Sequence, residues 1–236
     1  MKLPRIALVV GCLAFLLFAV AGPGSRFGLW QFGTGFKMMQ WGVYLGAAGC
    51  LATLVAAAVT RPFGAAAPTL LGALLLAGIP VAVPLLMLSQ AKKVPPIHDI
   101  TTDTEDPPAF VSVLPLRANA LNPATYGGAE VAAAQRKGYP DLGPLDLDAA
   151  PPAAFTRALA AARRMGWDIV AADSAAGRIE ATATTTWFGF KDDVVVRIKP
   201  TQTGSRIDVR SESRVGGSDI GTNAKRIRRY LSELKS

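Results

Sequence analysis

The sequence predicts an α+β protein: three N-terminal transmembrane helices followed by a small antiparallel-sheet domain with helices packed on one face. Three observations support this fold class. Apolar runs occupy the N-terminal part, at about residues 6–21, 38–59 and 68–88. Beyond residue 152, apolar and polar residues alternate with the period of β-strands. Helical patterns precede and follow that alternating stretch, an order typical of an α+β sandwich.

The three apolar runs suit a membrane, because a helical span needs about 20 apolar residues. None of the runs contains a charged residue, which argues against an ion or proton pathway. We therefore expect the lipid bilayer as a partner. Gly42 and Gly46 form a GxxxG pair, a spacing that favours self-association or a membrane-protein partner. The aromatic and glycine-rich segment 22–40 is expected to be a loop in the headgroup layer, with a binding groove as the alternative.

The orientation in the membrane depends on the first helix. Lys2 and Arg5 precede the first run and Ala19-Val20-Ala21 closes it, so a cleaved signal peptide is one alternative to a first transmembrane helix. The basic residues that flank the three runs are almost evenly divided between the two sides, and the first helix usually dominates. With Lys2 and Arg5 inside, three helices place the soluble domain outside. This predicts a bacterial inner-membrane protein with a periplasmic domain.

Charge is unevenly distributed along the chain. The N-terminal part has basic residues but no acidic ones, so much of the net charge of +8 arises beside the membrane. We therefore expect no nucleic-acid partner. Cys12 and Cys50 both lie in apolar runs, and no cysteine or histidine spacing predicts a metal site. No phosphate-binding or dinucleotide motif occurs, so the sequence predicts neither a metal nor a cofactor.

The sequence predicts three regions. Residues 1–91 form a membrane domain with three transmembrane helices. Residues 92–152 form a proline-rich segment, mostly irregular, whose apolar residues favour wrapping over a domain surface. Residues 153–236 form the α+β soluble domain.

Strands are expected near 167–171, 178–187, 193–199 and 206–214, and helices over 154–165 and after Ser218-Asp219. One face of this sheet would carry alternating charges, at Arg197, Lys199, Asp208, Arg210, Glu212 and Arg214. Such a ladder is typical of a solvated face with cross-strand pairs. The alternative is a binding surface for a polar headgroup or a protein partner.

Four residues are candidates for catalysis: His98, Asp103, Asp192 and Asp193. Neighbours in an extended segment point to opposite sides, so Asp99 is not expected to orient His98. The acids after His98 lack the glycine turn and later glutamate of a calcium loop. Paired carboxylates such as Asp192-Asp193 can split their pKa values and perform acid–base chemistry, but they are more often found at a solvated strand start. The sequence therefore favours a protein that is not an enzyme.

Two segments carry a family resemblance. One is Pro96-Ile97-His98-Asp99-Ile100-Thr101-Thr102-Asp103 with Pro107-Pro108-Ala109-Phe110, and the other is the stretch from Ser211 to Ile227. They resemble the signature of a bacterial family catalogued as domain of unknown function 1499. The three preceding helices match one common arrangement in that family. The resemblance implies a membrane-associated, envelope-facing module, and it brings no established reaction and no catalytic residue.

Six residues are predicted to bind a ligand or partner: Arg197, Arg210, Arg214, Asp219, Asn223 and Arg226. Arg214 is expected to pair with Asp219 or with Asp103, which would bring the two family segments together.

The leading interpretation is a membrane-anchored envelope module that binds a lipid headgroup or a protein partner without catalysis. One alternative is a hydrolase or transferase that acts on an envelope substrate through His98 and nearby carboxylates. Another is an accessory subunit of a larger membrane complex, with Gly42, Gly46 and the segment 22–40 as its contacts.

Overall fold

The computed structural model describes residues 2–62 and 64–235. The chain divides into two compact units: Met1–Gln90 with Thr186–Gly189, and Ala91–Thr185 with Phe190–Ser236. Three long apolar helices followed by an antiparallel sheet with helices confirm the predicted α+β class. Residues 1, 63 and 236 of the predicted regions lie outside the described part.

The helical unit contains α1 (Lys2–Arg26), α2 (Phe32–Val59) and α3 (Ala67–Ala91), the last preceded by a 3₁₀ turn at Gly64–Ala66. Each span is long and apolar enough to cross a membrane, as the hydropathy of the three runs predicts. The chain is therefore a membrane protein.

The glycine-rich segment 22–40 is helical over most of its length, so its interpretation as a headgroup loop is wrong. Helix α1 continues to Arg26 and α2 begins at Phe32. A Cβ atom on Gly22 would lie 2.3 Å from the Trp187 ring, and one on Gly24 would lie 1.9 Å from the Trp30 ring. Only glycine leaves room for such an approach. The composition of this segment thus reflects close aromatic packing.

The GxxxG pair is used within the chain. A Cβ atom on Gly42 would lie 3.2 Å from the carbonyl oxygen of Ala14 in α1, and one on Gly46 would lie 2.6 Å from that of Ala77 in α3. Small residues here let the helix backbones approach closely. Self-association through Gly42 and Gly46 stays a prediction, and their burial does not favour it.

The aromatic pair Trp187-Phe188 belongs to the helical unit. The Trp187 ring lies 4.9 Å from the Phe18 ring, and the Phe188 ring lies 4.9 Å from the Phe36 ring. The Arg26 guanidinium donates a hydrogen bond of 2.8 Å to the carbonyl oxygen of Thr186. These residues interrupt the strand predicted to run to residue 187.

The second unit is built on a sheet of β1 (Asp99–Thr101), β2 (Leu145–Leu147), β3 (Asp168–Asp173), β4 (Arg178–Thr184), β5 (Lys191–Pro200) and β6 (Ser205–Ser213). The order is β1-β6-β5-β4-β3, β2 also pairs with β6, and all pairings are antiparallel. Strands β1 and β2 lie in the region expected to be mostly irregular. They were missed because each is only three residues long.

Helices α4 (Gly128–Gly138), α5 (Pro151–Arg164) and α6 (Thr222–Lys235) complete this unit. The main core joins inward-facing strand residues to the apolar stripes of α5 and α6, which follows from side-chain periods of 2 and 3.6. Tyr230 of α6 stacks on Trp167 at 4.8 Å and donates a hydrogen bond of 2.8 Å to the carbonyl oxygen of Ala158. This core covers one face of the sheet and leaves the charged face to other parts of the chain.

Candidate functional site

Most of the charged face of the sheet is buried, so the expectation of a solvated face is wrong for all but its edge at Arg197 and Lys199. Glu180, Asp193 and Glu212 are 0% exposed and Arg210 is 2% exposed. The segment 102–126 covers them: Phe110 and Val113 of this segment pack with Val195 in a second apolar cluster. Buried charges persist in proteins when they are paired and hydrogen-bonded. We call the following side chains the charge cluster: Asp99, Arg117, Glu180, Asp193, Arg210, Glu212 and Arg214.

Strand alternation brings most of the cluster together. On β6 and just beyond its end, every second residue from Arg210 to Arg214 points to this face. Asp193 of β5 lies opposite Glu212 of β6, and Asp99 of β1 lies opposite Glu212 on the other side. The sheet register therefore places three carboxylates within one strand spacing of each other.

Arg117 belongs to the covering segment 102–126 and contacts the cluster from that segment. It ends a 3₁₀ turn at Leu114–Arg117, and its side chain is 3% exposed. One guanidinium nitrogen donates to Asp193 at 2.8 Å and another to Glu212 at 2.9 Å. Sequence reasoning missed Arg117. One signal was present, because Arg117 is the single charged residue between positions 107 and 129.

Arg210 is held from three sides. It forms a two-pronged pair with Asp99, with distances of 2.9 and 2.8 Å. The Phe110 ring lies 4.6 Å from its guanidinium carbon, a cation–π geometry. A 3.4 Å hydrogen bond links it to Glu212. Asp99 thus serves Arg210 and does not orient His98, as expected from the alternation of an extended segment.

Glu180 fixes the covering segment to the sheet. Its carboxylate accepts hydrogen bonds from the backbone N–H of Val111 at 3.0 Å and of Val113 at 2.9 Å. A carboxylate that receives several backbone N–H groups has the charge-assisted bonds that its burial requires. Glu180 was also missed as a site residue from the sequence.

Asp193 and Asp192 point to opposite faces and do not form a catalytic pair. Asp193 receives two bonds from Arg214, at 2.9 and 2.8 Å, and one from Thr182 at 2.8 Å. Burial acts to raise the pKa of Asp193, but the hydrogen bonds from Arg214, Thr182 and Arg117 outweigh it and hold that pKa below its usual range. Asp192 instead pairs with Arg226 of α6 at 2.5 Å. A carboxylate with a lowered pKa is a weak general base.

Glu212 holds a proton near neutral pH. Burial, and then the negative charge of Asp99, raise its pKa to about 8, against the opposing effects of Arg117 and Arg210. The charge balance agrees with this direction. With Glu212 neutral, the arginines at 117, 210 and 214 are matched by the acids at 99, 180 and 193. If Glu212 were ionised, the cluster would contain one buried negative charge more than it has arginines to balance.

A more exposed group of charges borders the cluster, with Arg197 at its centre. Arg197 pairs with Asp208 at 2.9 Å and with Asp103 at 3.2 Å. Asp103 also pairs with Arg206 at 2.9 Å. The Arg206 side chain is 37% exposed and that of Lys199 is 48% exposed, so these two are accessible from water.

The corner between the end of β6 at Ser213 and the start of α6 at Thr222 is held by Asp219 and Asn223. Asp219 accepts the backbone N–H of Gly221 at 2.8 Å and of Asn223 at 2.6 Å, and burial raises its pKa. The Asn223 amide donates to the carbonyl oxygen of His98 at 2.8 Å. The Arg226 guanidinium donates hydrogen bonds to the side-chain amide oxygen Oδ1 of Asn223 and to the carboxylate of Asp192.

The expected pairing of Arg214 with Asp219 or Asp103 is wrong, because Arg214 binds Asp193. The two family segments nevertheless meet. They join through pairing of β1 with β6, through the Asp99–Arg210 ion pair, and through the bond from Asn223 to His98.

The catalytic candidates are not assembled around one group. His98 is half-buried, and its Nδ1 has no hydrogen-bond partner. Asp103, Asp192 and Asp193 pair with different arginines. Within residues 2–62 and 64–235, no three histidine, cysteine, aspartate or glutamate side chains are grouped so that they could hold a metal ion. The arrangement stabilises the fold of the sheet.

Fold and cluster together define a class: a membrane-anchored α+β domain whose sheet is closed on one face by helices and on the other by ion pairs under a wrapping segment. The model of the family described as Protein of unknown function (DUF1499) matches residues 99–234. The chain belongs to this family, as the resemblance of the two segments predicted. No curated protein matches the chain.

Proposed function

We propose that the protein is an envelope module anchored in the bacterial inner membrane, whose periplasmic α+β domain binds a lipid headgroup or a protein partner without catalysing a reaction. In this proposal residues 1–91 are the anchor, residues 92–152 wrap the domain, and residues 153–236 form its core.

One observation carries the non-catalytic part of the proposal: the candidate acids are engaged by arginines. Asp193 is shared by Arg117 and Arg214, and Asp192 belongs to Arg226. To act as a base or nucleophile, each carboxylate would have to leave a buried or half-buried ion pair, and breaking such a pair costs about 3–5 kcal/mol. Binding of a ligand or partner at the outer surface of the domain does not require these ion pairs to break.

The accessible charges support a polar ligand or partner. Of the six predicted binding residues, Arg210 and Asn223 are buried, whereas the side chain of Arg197 keeps 18% exposure beside the more exposed Arg206 and Lys199. These three cations are paired with Asp103, Asp106 and Asp208, so a phosphate or carboxylate group would bind at this edge by replacing one of these acids as the partner of an arginine or lysine. We therefore assign ligand contact to this edge and a structural role to Arg210 and Asn223.

The periplasmic location is supported by the helices. An odd number of spans places the two ends of the anchor on opposite sides, and Lys2 and Arg5 in the first turns of α1 favour its start on the cytoplasmic side.

The enzymatic alternative is tested by comparing the lipid and glycan composition of the envelope in cells that lack the protein, that carry it unchanged, and that carry His98→Ala or Asp103→Asn. We expect both variant strains to match the unchanged strain. A compound that accumulates in the strain lacking the protein and equally in the His98→Ala strain would establish an enzyme and end the proposal. Matched amounts of each variant in the membrane are the control.

A further inference from the structure

An apolar surface stands out on the α+β unit. Among the described residues of this unit, the exposed large apolar side chains all lie within one short stretch, at Val111, Leu114, Leu116 and Leu121, with exposures of 50%, 45%, 52% and 73%. All the other exposed large apolar residues that the structure describes lie between positions 3 and 88, in the helical unit. Scattered apolar residues need no explanation, but a cluster of this kind marks an interaction surface. We call these four residues the apolar patch.

The patch is held in place by the charge cluster below it. Val111 donates its backbone N–H to Glu180, and Arg117, which lies between Leu116 and Leu121, reaches down to the buried carboxylates. Leu121 donates its backbone N–H to the carbonyl oxygen of Arg214 at 3.0 Å. The four side chains are therefore presented outward by an anchored backbone.

The segment that carries the patch has no exposed charge of its own. Between positions 107 and 129 the sequence has one charged residue, Arg117, and its side chain is 3% exposed. Moving this segment into an apolar environment thus removes no ionised group of its own from water, and burying such a group is the expensive part of such a transfer.

The connection of the α+β unit to the membrane helices indicates that the bilayer is the partner of the apolar patch. The α+β unit is joined to the membrane helices twice, after α3 at Ala91 and on both sides of Thr186–Gly189. From the end of α3 at Ala91 to β1 at Asp99, the chain extends to at most about 29 Å. A bilayer is therefore present at high effective concentration for an apolar surface of this unit that these connections allow to reach it, so that even a weak contact is populated.

We propose that the apolar patch inserts into the surface of the lipid bilayer in which the helices are embedded. It acts as a second membrane contact, as interfacial apolar side chains do. Leu121 and Leu116 enter the headgroup layer, and the charge cluster beneath keeps the segment rigid while they do so. The inference does not rest on the proposed function, because the patch meets the same bilayer on either side of the membrane.

The test uses the full-length chain in vesicles of phosphatidylethanolamine and phosphatidylglycerol. Cys12 and Cys50 are replaced by alanine, and an environment-sensitive fluorophore is attached at Leu116→Cys or Leu121→Cys. The matched control is Ala175→Cys, which is exposed in the turn between β3 and β4. Nitroxides are carried on the lipid acyl chains near the headgroups.

Insertion predicts that lipid nitroxides quench the labels at positions 116 and 121 about threefold more than the label at position 175, because inserted side chains lie roughly 5–10 Å into the interface. The double substitution Leu114→Asp, Leu116→Asp should abolish the excess quenching at position 121. A label at Leu51→Cys in α2 should stay quenched in that background, which shows that the chain remains in the membrane.

Equal, weak quenching at positions 116, 121 and 175 would overturn the inference. Labels that are exposed to water in vesicles of the purified chain, yet shielded in native membranes, would also overturn it, since they would assign the patch to a protein partner. Neither result would bear on whether the protein is an enzyme.

Discussion

Replacement of Glu212 by glutamine tests the protonation of the charge cluster. Glu212 is buried, and burial together with the charge of Asp99 raises its pKa to about 8. Its unfolded value is the ordinary 4.5. Between these two values the folded chain holds a proton that the unfolded chain has released. The unfolded state is thus increasingly favoured as the pH rises from about 4.5 to 8, and the stabilisation present at low pH is lost.

The magnitude follows from proton linkage. One proton difference changes the free energy of unfolding by about 1.4 kcal/mol per pH unit. Between pH 5 and pH 8 the unchanged protein should therefore lose about 4 kcal/mol through this group, as an upper estimate. Glu212→Gln carries no titrating proton at this position and should lack that loss. We expect the variant to be less stable than the unchanged protein at pH 5 and more stable at pH 8.

The assay is urea unfolding of the α+β unit in the full-length chain in detergent micelles, followed by pulse proteolysis at pH 5, 6.5 and 8. Glu233→Gln is the matched control, because Glu233 forms an exposed pair with Arg164 and such pairs contribute about 0–1 kcal/mol. If the free energies of the unchanged protein and Glu212→Gln differ by the same amount at all three pH values, Glu212 is ionised in the folded state and the account of the cluster fails.

Three further predictions concern packing and pairing. Arg117→Met should destabilise the α+β unit by about 3–5 kcal/mol in urea unfolding, because the buried Asp193 carboxylate and the buried Glu212 carboxyl group both lose a guanidinium donor; a loss similar to that of Arg164→Met would show that the pairing is unimportant. Gly46→Val should destabilise the helical unit by about 1–3 kcal/mol, since its Cβ position lies 2.6 Å from a carbonyl oxygen. Gly78→Val meets nothing within 4 Å and should leave the thermal unfolding in detergent unchanged. Asn223→Ala should cost about 1–3 kcal/mol by leaving buried polar partners without bonds, and hydrogen exchange in β1 would reveal the loosened corner.

The sequence was sufficient for the elements that have long, regular patterns. Apolar runs predicted the three helices, and alternation predicted four strands of the sheet. The separation of Asp192 and Asp193 also follows from that alternation, because neighbours on a strand face opposite sides. The extension of α1 and α2 into the segment 22–40 could not be predicted from the sequence. Glycine is typical of turns in sequence patterns, and its role in close packing becomes visible only in the three-dimensional structure.

The charge cluster was beyond sequence reasoning for a different reason. Alternating charges on β6 look the same whether water or protein covers them. Burial of these charges depends on a segment that is distant in sequence from the strands that it covers. The hydrogen bond from Val113 to Glu180, for example, joins residues that are 67 positions apart. The strands within that region, β1 and β2, are too short for periodicity. Arg117 in an otherwise uncharged stretch was the one local sign of a buried partner.

The central claim is that three helices anchor a periplasmic α+β domain, and paired topology reporters test it most directly. Alkaline phosphatase and green fluorescent protein are each fused to the C-terminus of the full chain, and to a chain cut after Thr60 as the control. The account predicts an active phosphatase and no fluorescence at the C-terminus, with the reverse after Thr60. Fluorescence with an inactive phosphatase at the C-terminus would place the domain in the cytoplasm and contradict the account.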